Sequence, residues 1–250
     1  MDNTRVIGPI RQAKYSYEER KNRLLQISDE IKFLSDAIDK NKNNYNYYFG
    51  RGAWYVFFGD FDLAIDDFMK ALKLKPNSYE LKWMIARCFS SSHGGGFHIK
   101  RSWEKEVLLS VKYYLEAIEL NSTNEDLITE ASFQLQSAGQ SQMGHALVKE
   151  AFFKNPSSEK LLSGMVWISN VEKNYKDAGM YLEKLLKKSP QNVNYLHDYG
   201  LNRIQTGNKK EGLEFLRRAL ALVKGNNERE TYIRFLINRN SDIEEKRNPN

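Results

Sequence analysis

Apolar residues recur along most of the chain at helical spacing, and small residues recur where helices would have to touch. Leu24, Ile27, Ile31, Leu34 and Ile38 advance by alternating steps of three and four. That lays one apolar stripe along an amphipathic helix over residues 15–40. The stretch YNYYFGRGAWYVFFGDFDLAIDDFMKALKLKPNS, residues 45–78, has a different grain. Small residues at Gly52, Ala64 and Ala71 would let two helices approach closely, while Tyr48, Tyr55 and Phe68 fill the spaces between. Gly59 permits a tight turn, and Pro76 cannot continue a helix. The pattern predicts a helix, a turn at Gly59 and Asp60, and a second helix.

The same punctuation returns. Pro76, Pro156 and Pro190 lie 80 and 34 residues apart, and Gly59, Gly139 and Gly207 lie 80 and 68 apart. Both series describe a 34-residue unit with one insertion of 12. A fixed period in this range is the signature of a repeat array. Four units follow the first. The second, 79–124, has Ala86, Phe89, Ser110, Tyr114 and Ala117 and holds the insertion. The third, 125–158, has Ser132, Leu135, Gly144, Val148 and Ala151. The fourth, 159–192, is the most degenerate, with Val166 at the small site and Leu185 in place of the second alanine. The fifth, 193–226, has Gly200, Gly212, Leu216 and Ala219, with Lys224 where proline is expected.

The unit over residues 45–78 closely resembles a tetratricopeptide repeat, with Tyr48 at the family's tryptophan position and Gly52, Tyr55, Ala64, Phe68, Ala71 and Pro76 at its other marked sites. In register, the resemblance covers residues 45–226. It implies an all-α, right-handed solenoid of antiparallel helix pairs, about five repeats, acting by protein binding. Residues 15–44 read as an N-terminal capping helix or worn repeat, and 227–240 as a C-terminal capping helix. Terminal units of such arrays need polar outer faces. Residues 1–14 and 241–250 have little to bury and read as flexible ends.

Composition changes this picture little. The 250 residues carry 38 basic and 32 acidic side chains, for a net charge of +6. Basic residues gather around Lys209, Lys210, Arg217, Arg218, Arg229, Arg234 and Arg239, with acidic residues interleaved and no basic run. That pattern suits a solvated outer face. It ranks a nucleic-acid or anionic-surface role through the basic carboxy-terminal face behind protein binding. One cysteine, Cys88, excludes an internal disulfide and reads as a buried packing residue in a reducing, cytoplasmic setting. The first twenty residues lack an apolar core of signal-peptide length, and no stretch reaches the length of a membrane span.

Chemistry is scarce. The sequence has no phosphate loop, no paired-histidine zinc helix and no Cys-x-x-Cys. No nucleophile, base and orienting group stand at recognisable spacing, so the chain reads as non-enzymatic and implies no cofactor or metal. His93 and His98 share the insertion SSSHGGGFHIK but lack nearby carboxylates or cysteines, a poor ligand set. That insertion falls within about residues 91–102, between the two helices of the second repeat. Phe97, Ile99 and Trp103 could fold back on the array or meet a partner. The alternative is a longer second helix with Ser102 as its N-cap, preceded by a glycine hinge at Gly94–Gly96.

The resemblance also implies where a ligand sits. First helices of the family line a concave groove for extended or helical segments. Their outward sites here are Asn46, Phe49 and Ala53, then Glu80, Trp83 and Arg87, then Asp126, Thr129 and Phe133, then Lys160, Ser163 and Trp167, then Asn194, His197 and Leu201. Phe49, Trp83, Phe133 and Trp167 are expected as aromatic anchors, with polar specificity from Arg87, Lys160, Asn170 and His197. Exposed Phe49, Trp83 and Trp167 would form a large apolar patch. A slip of one residue in register, or a capping helix packed there, is the competing explanation. The carboxylate clamp of some family members is absent, because the first-repeat sites hold Phe49 and Ala53. An adaptor or scaffold for an apolar peptide or helix follows. The alternative is a homo-oligomer in which the amino-terminal helix of one copy enters the groove of the next.

Overall fold

The structure, a computed structural model, describes residues 17–91, 103–223, 225 and 227–245. His93, Gly94–Gly96, Phe97, His98, Ile99 and Ser102 of the insertion lie outside the described residues, as do residues 1–14. Among the described residues there are twelve α-helices and no strand. The chain divides into two compact units, residues 1–144 and 145–250. The first holds α1 (Tyr17–Lys40), α2 (Tyr45–Phe58), α3 (Phe61–Leu74), α4 (Tyr79–Ser91), α5 (Trp103–Leu120) and α6 (Glu125–Ser137). The boundary falls inside α7 (Ser141–Lys154). The second unit holds α8 (Glu159–Val171), α9 (Tyr175–Lys188), α10 (Val193–Gln205), α11 (Lys209–Leu222) and α12 (Asn227–Glu245). Consecutive helices pair: α2 with α3 and α4 with α5 in one unit, α8 with α9 and α10 with α11 in the other.

Each first helix starts at the same kind of cap. The residue before every repeat is Asn or Ser, and its side-chain oxygen accepts a backbone N–H of the first turn. Asn44 takes Asn46, Ser78 takes Leu81, Asn124 takes Leu127, Ser158 takes Leu161, and Asn192 takes Asn194. Such caps satisfy donors that the helix itself cannot.

The turn between paired helices needs a left-handed residue. Gly59, Gly139 and Gly207 supply it at φ 82, 75 and 90°. In the degenerate fourth repeat the equivalent residue is Lys173 at φ 59°, the one non-glycine at positive φ among the described residues. A side chain there costs energy that glycine avoids.

Helix approach sets the rest. A Cβ on Gly52 would lie 2.7 Å from the Phe68 ring, and one on Gly212 would lie 2.5 Å from the Gly200 carbonyl oxygen. In the first unit, Tyr48, Ala64, Phe68, Ala71, Leu81, Ile85 and Cys88 close over the Gly52–Phe68 contact into one core. Leu162, Val166, Leu182 and Leu185, and separately Leu196, Leu216 and Ile233, form cores of the second. Cys88 is 1% exposed, and burial pushes its thiol up to about 12.

One charged pair interrupts the apolar rule. Arg51 on α2 donates from Nε and Nη2 to Asp67 on α3, at 2.7 and 2.9 Å, and from Nη1 to Ser35 on α1 at 2.9 Å. Asp67 is 2% exposed. The carboxylate raises the guanidinium pKa above its ordinary value, chiefly through that hydrogen bond. The corresponding sites are Met165 and Tyr181 in the fourth repeat, and Tyr199 and Phe215 in the fifth.

The last helix occupies the place of a sixth first helix. Ile233 and Leu236 are buried, whereas the sites equivalent to Tyr48 and Gly52 are Glu230 and Arg234, ion-paired at 2.7 Å. The helix continues through Glu245, so residues 241–245, read from sequence as tail, are helical.

Candidate functional site

Phe49 and Trp83 share one first-helix position and Phe133 and Trp167 share the outward position one turn later, yet their environments differ. Phe49 turns toward the core of the first unit, with its ring centroid 5.8 Å from that of Phe68. Trp83 is only 7% exposed. Its indole N–H donates to Glu130 Oε2 at 2.8 Å, and the Arg87 guanidinium lies 5.8 Å from its ring. Trp83 is therefore not the exposed apolar surface expected of it, and Phe49 is partly buried. Trp83 is closed off by a polar lid, because its N–H needs a partner once buried.

That lid is built on Glu130. Its Oε2 accepts from Trp83, from the Tyr114 hydroxyl at 3.0 Å, and pairs with Arg87 Nε at 3.5 Å. Burial, reinforced by the Glu130 charge, drives the Tyr114 hydroxyl well above its ordinary range. Above it opens a cleft of about 400 Å³ lined by Arg87, Ser90, Tyr114, Thr129, Glu130 and Phe133. Phe133 is 58% exposed, the large apolar surface of this cleft.

The second unit has a comparable cleft of about 350 Å³, lined by Trp167, Asn170, Tyr175, Asp198, Leu201 and Gln205. Trp167 is half-buried and meets the His145 ring edge-on at 5.5 Å. His145 Nδ1 lies 3.2 Å from Glu172 Oε1, to which Lys149 also donates at 2.9 Å. Lys149 holds the Glu172 carboxyl below its usual range. At the floor, Asn202 donates to the Tyr175 carbonyl at 2.7 Å, and its carboxamide fits only because Gly179 lacks a Cβ.

The structure thus brings Arg87 and Phe133 together in one unit, and Trp167 and Asn170 in the other. Lys160 is exposed and lines neither cleft. His197 sits beside the second cleft, with Nδ1 2.8 Å from Asp198 Oδ1 and its ring 5.9 Å from that of Tyr232. Glu130, Asp198, Asn202 and Gln205 escaped the sequence reading, which took Tyr114 only as a repeat packing residue. Glu130 and Asp198 hold the same repeat position, so a charge recurring amid apolar first-helix residues was the available signal. Among the described residues, no three histidine, cysteine or acidic side chains gather as metal ligands. No described helix is long and apolar enough to cross a membrane.

Residues 45–78 match the family model of the tetratricopeptide repeat. Residues 45–78 are thus a tetratricopeptide repeat, set within an array of paired helices. Solved structures of the same architecture agree. YrrB, described as a tetratricopeptide-repeat protein with an unusual peptide-binding site, is 14% identical, with a TM-score of 0.56 over 77% of this chain and 93% of its own. PilW, a type IV pilus biogenesis factor, is 16% identical, with a TM-score of 0.60 over 81% and 89%. MamA from Desulfovibrio magneticus RS-1 is 10% identical, with a TM-score of 0.58 over 71% and 94%. At such identities the likeness is one of fold. No curated protein matches the chain in sequence. Proteins of this repeat family mediate protein–protein interactions and are typically non-catalytic.

Proposed function

We propose that this protein is a non-enzymatic adaptor that holds an apolar or aromatic peptide, or one face of a helix, against its first helices. The observation that carries this is the pair of clefts at corresponding places in the two units. Each sets an accessible aromatic, Phe133 or Trp167, among hydrogen-bonding side chains. Aromatic surface ringed by polar groups is the composition of a binding hot spot. The peptide-binding site ascribed to YrrB is consistent with it. Arg87 and Asn170 supply polar contacts, one in each cleft. Trp83 and Phe49 act as supports beneath the surface.

The test is capture of peptides from an immobilised random library by the full chain, beside Phe133→Ala and Trp167→Ala versions of unchanged helicity. Enrichment of apolar or aromatic sequences, lost in either variant, is expected. Enrichment unaffected by both would overturn the assignment to these clefts. A self-assembling scaffold is the second reading, favoured by the exposed Tyr232 and Phe235 on α12. Sedimentation that does not change with protein concentration would remove it.

A further inference from the structure

The two clefts differ in charge. In the first, the lining Arg87 and Glu130 are in contact and offset each other. In the second, Asp198 is the one charged residue among those lining it; the others are apolar, aromatic, hydroxyl or carboxamide. Its carboxylate is 47% exposed, with Oδ1 engaged by His197. The protein as a whole carries +6, so this cleft is a negative recess on a positive molecule. Trp167 and Tyr175 supply aromatic surface, and Asn170 and Gln205 supply carboxamide oxygens that accept hydrogen bonds.

An aromatic ring, a carboxylate and carboxamide acceptors within one recess match a guanidinium or ammonium group. Such a cation is attracted by an aromatic face, satisfied by acceptors, and neutralised by the carboxylate. The apolar wall of Val166 and Leu201 suits the methylene stem or an adjoining apolar side chain. Resting on the adaptor reading above, we propose that this cleft takes an arginine or lysine side chain of the partner, flanked by an apolar residue. Asp198 is then the residue that sets specificity, and Trp167 the surface on which the side chain lies. An acidic partner segment is disfavoured in the same place by repulsion from Asp198.

The experiment uses the full chain and fluorescently labelled ten-residue peptides with a central Leu-X pair, where X is Arg, Lys, Gln or Glu. Anisotropy titrations compare the parent with Asp198→Asn and Asp198→Glu. The parent should bind the X = Arg peptide roughly fivefold to tenfold more tightly than X = Gln, the size expected of an exposed ion pair added to a cation–aromatic contact. The preference should fall below about twofold in Asp198→Asn and return in Asp198→Glu, and should weaken with salt. Unchanged affinity for X = Gln in Asp198→Asn shows that the cleft is still folded. Equal affinity for X = Arg and X = Gln, or a preference that survives Asp198→Asn, would overturn the inference while leaving the adaptor reading intact. Binding of none of the peptides would overturn both.

Discussion

Replacing Arg51 with methionine should destabilise the first unit by about 3 kcal/mol, the low end of the cost of breaking a buried ion pair. The variant loses two charge-assisted hydrogen bonds to Asp67, of 2.7 and 2.9 Å, and the bond from Nη1 to Ser35 at 2.9 Å. Asp67 stays buried, with only Lys70 Nζ, 3.7 Å away, to offset its charge among these contacts. That lysine, and the partial exposure of Arg51, argue for the lower end. Removing both charges is a different matter. Arg51→Met with Asp67→Leu gives the first repeat the apolar chemistry that Met165 and Tyr181 have in the fourth, and should return to within about 1 kcal/mol of the parent. With Asp67→Leu measured as the third arm of the cycle, the coupling should be at least about 2 kcal/mol if that single change is not itself stabilising, large for a pair of surface charges and ordinary for neighbours in one network. Urea unfolding followed by helical circular dichroism measures the totals. Native-state hydrogen exchange on α2 and α3 localises the loss, since repeat arrays open in segments. A cost below about 0.5 kcal/mol for the single change, the range of an unremarkable surface site, would refute the reasoning. So would a double variant as weak as the single one.

Lys173→Gly should stabilise the second unit by about 0.5–1 kcal/mol, because relief of the left-handed side-chain penalty exceeds the added entropy of the unfolded chain; a lower melting temperature would contradict it. Cys88, neutral in the folded state up to about 12 but titrating near its ordinary 9.0 when exposed, contributes stability that is full below pH 9. That contribution falls as pH rises toward 12, at most by about 1.4 kcal/mol per pH unit. Cys88→Ala should flatten the fall between pH 8 and 10.5 in thermal melts, and an equally steep fall would count against it. Trp83→Ala should cost about 3–5 kcal/mol, as for other buried aromatics, whereas Phe133→Ala should change stability by less than about 0.5 kcal/mol. Equal effects in denaturant titrations would mean that the burial of one or the exposure of the other is wrong.

Periodicity made the helix pairs legible, because Gly52, Ala64, Phe68 and Ala71 answer to backbone approach, which every repeat shares. The caps at Asn44, Ser78, Asn124, Ser158 and Asn192 were equally open to reading, since each precedes a unit by one residue. The surface was less legible. Family positions place Trp83 on the outward face, but a neighbouring carboxylate from the next repeat, Glu130, draws its N–H inward, and Arg87 covers its ring. Contacts between repeats depend on pairs that no single unit displays. Arg51 and Asp67 were invisible for the same reason: each alone resembles a solvated charge, and only the packed pair reveals that Asp67 is buried.

The polar ending of α12 has a bearing on how such an array could be lengthened. A repeat joined after α12 would have to lay its small and aromatic residues against Glu230 and Arg234, breaking their pair and burying both charges. A repeat inserted ahead of residue 227 would meet Leu216, Ala219 and Val223 instead, an apolar surface that already accepts a helix. Duplication, natural or engineered, is thus tolerated upstream of the terminal helix and penalised downstream. The last helix behaves as a fixed end piece, and new modules enter behind it.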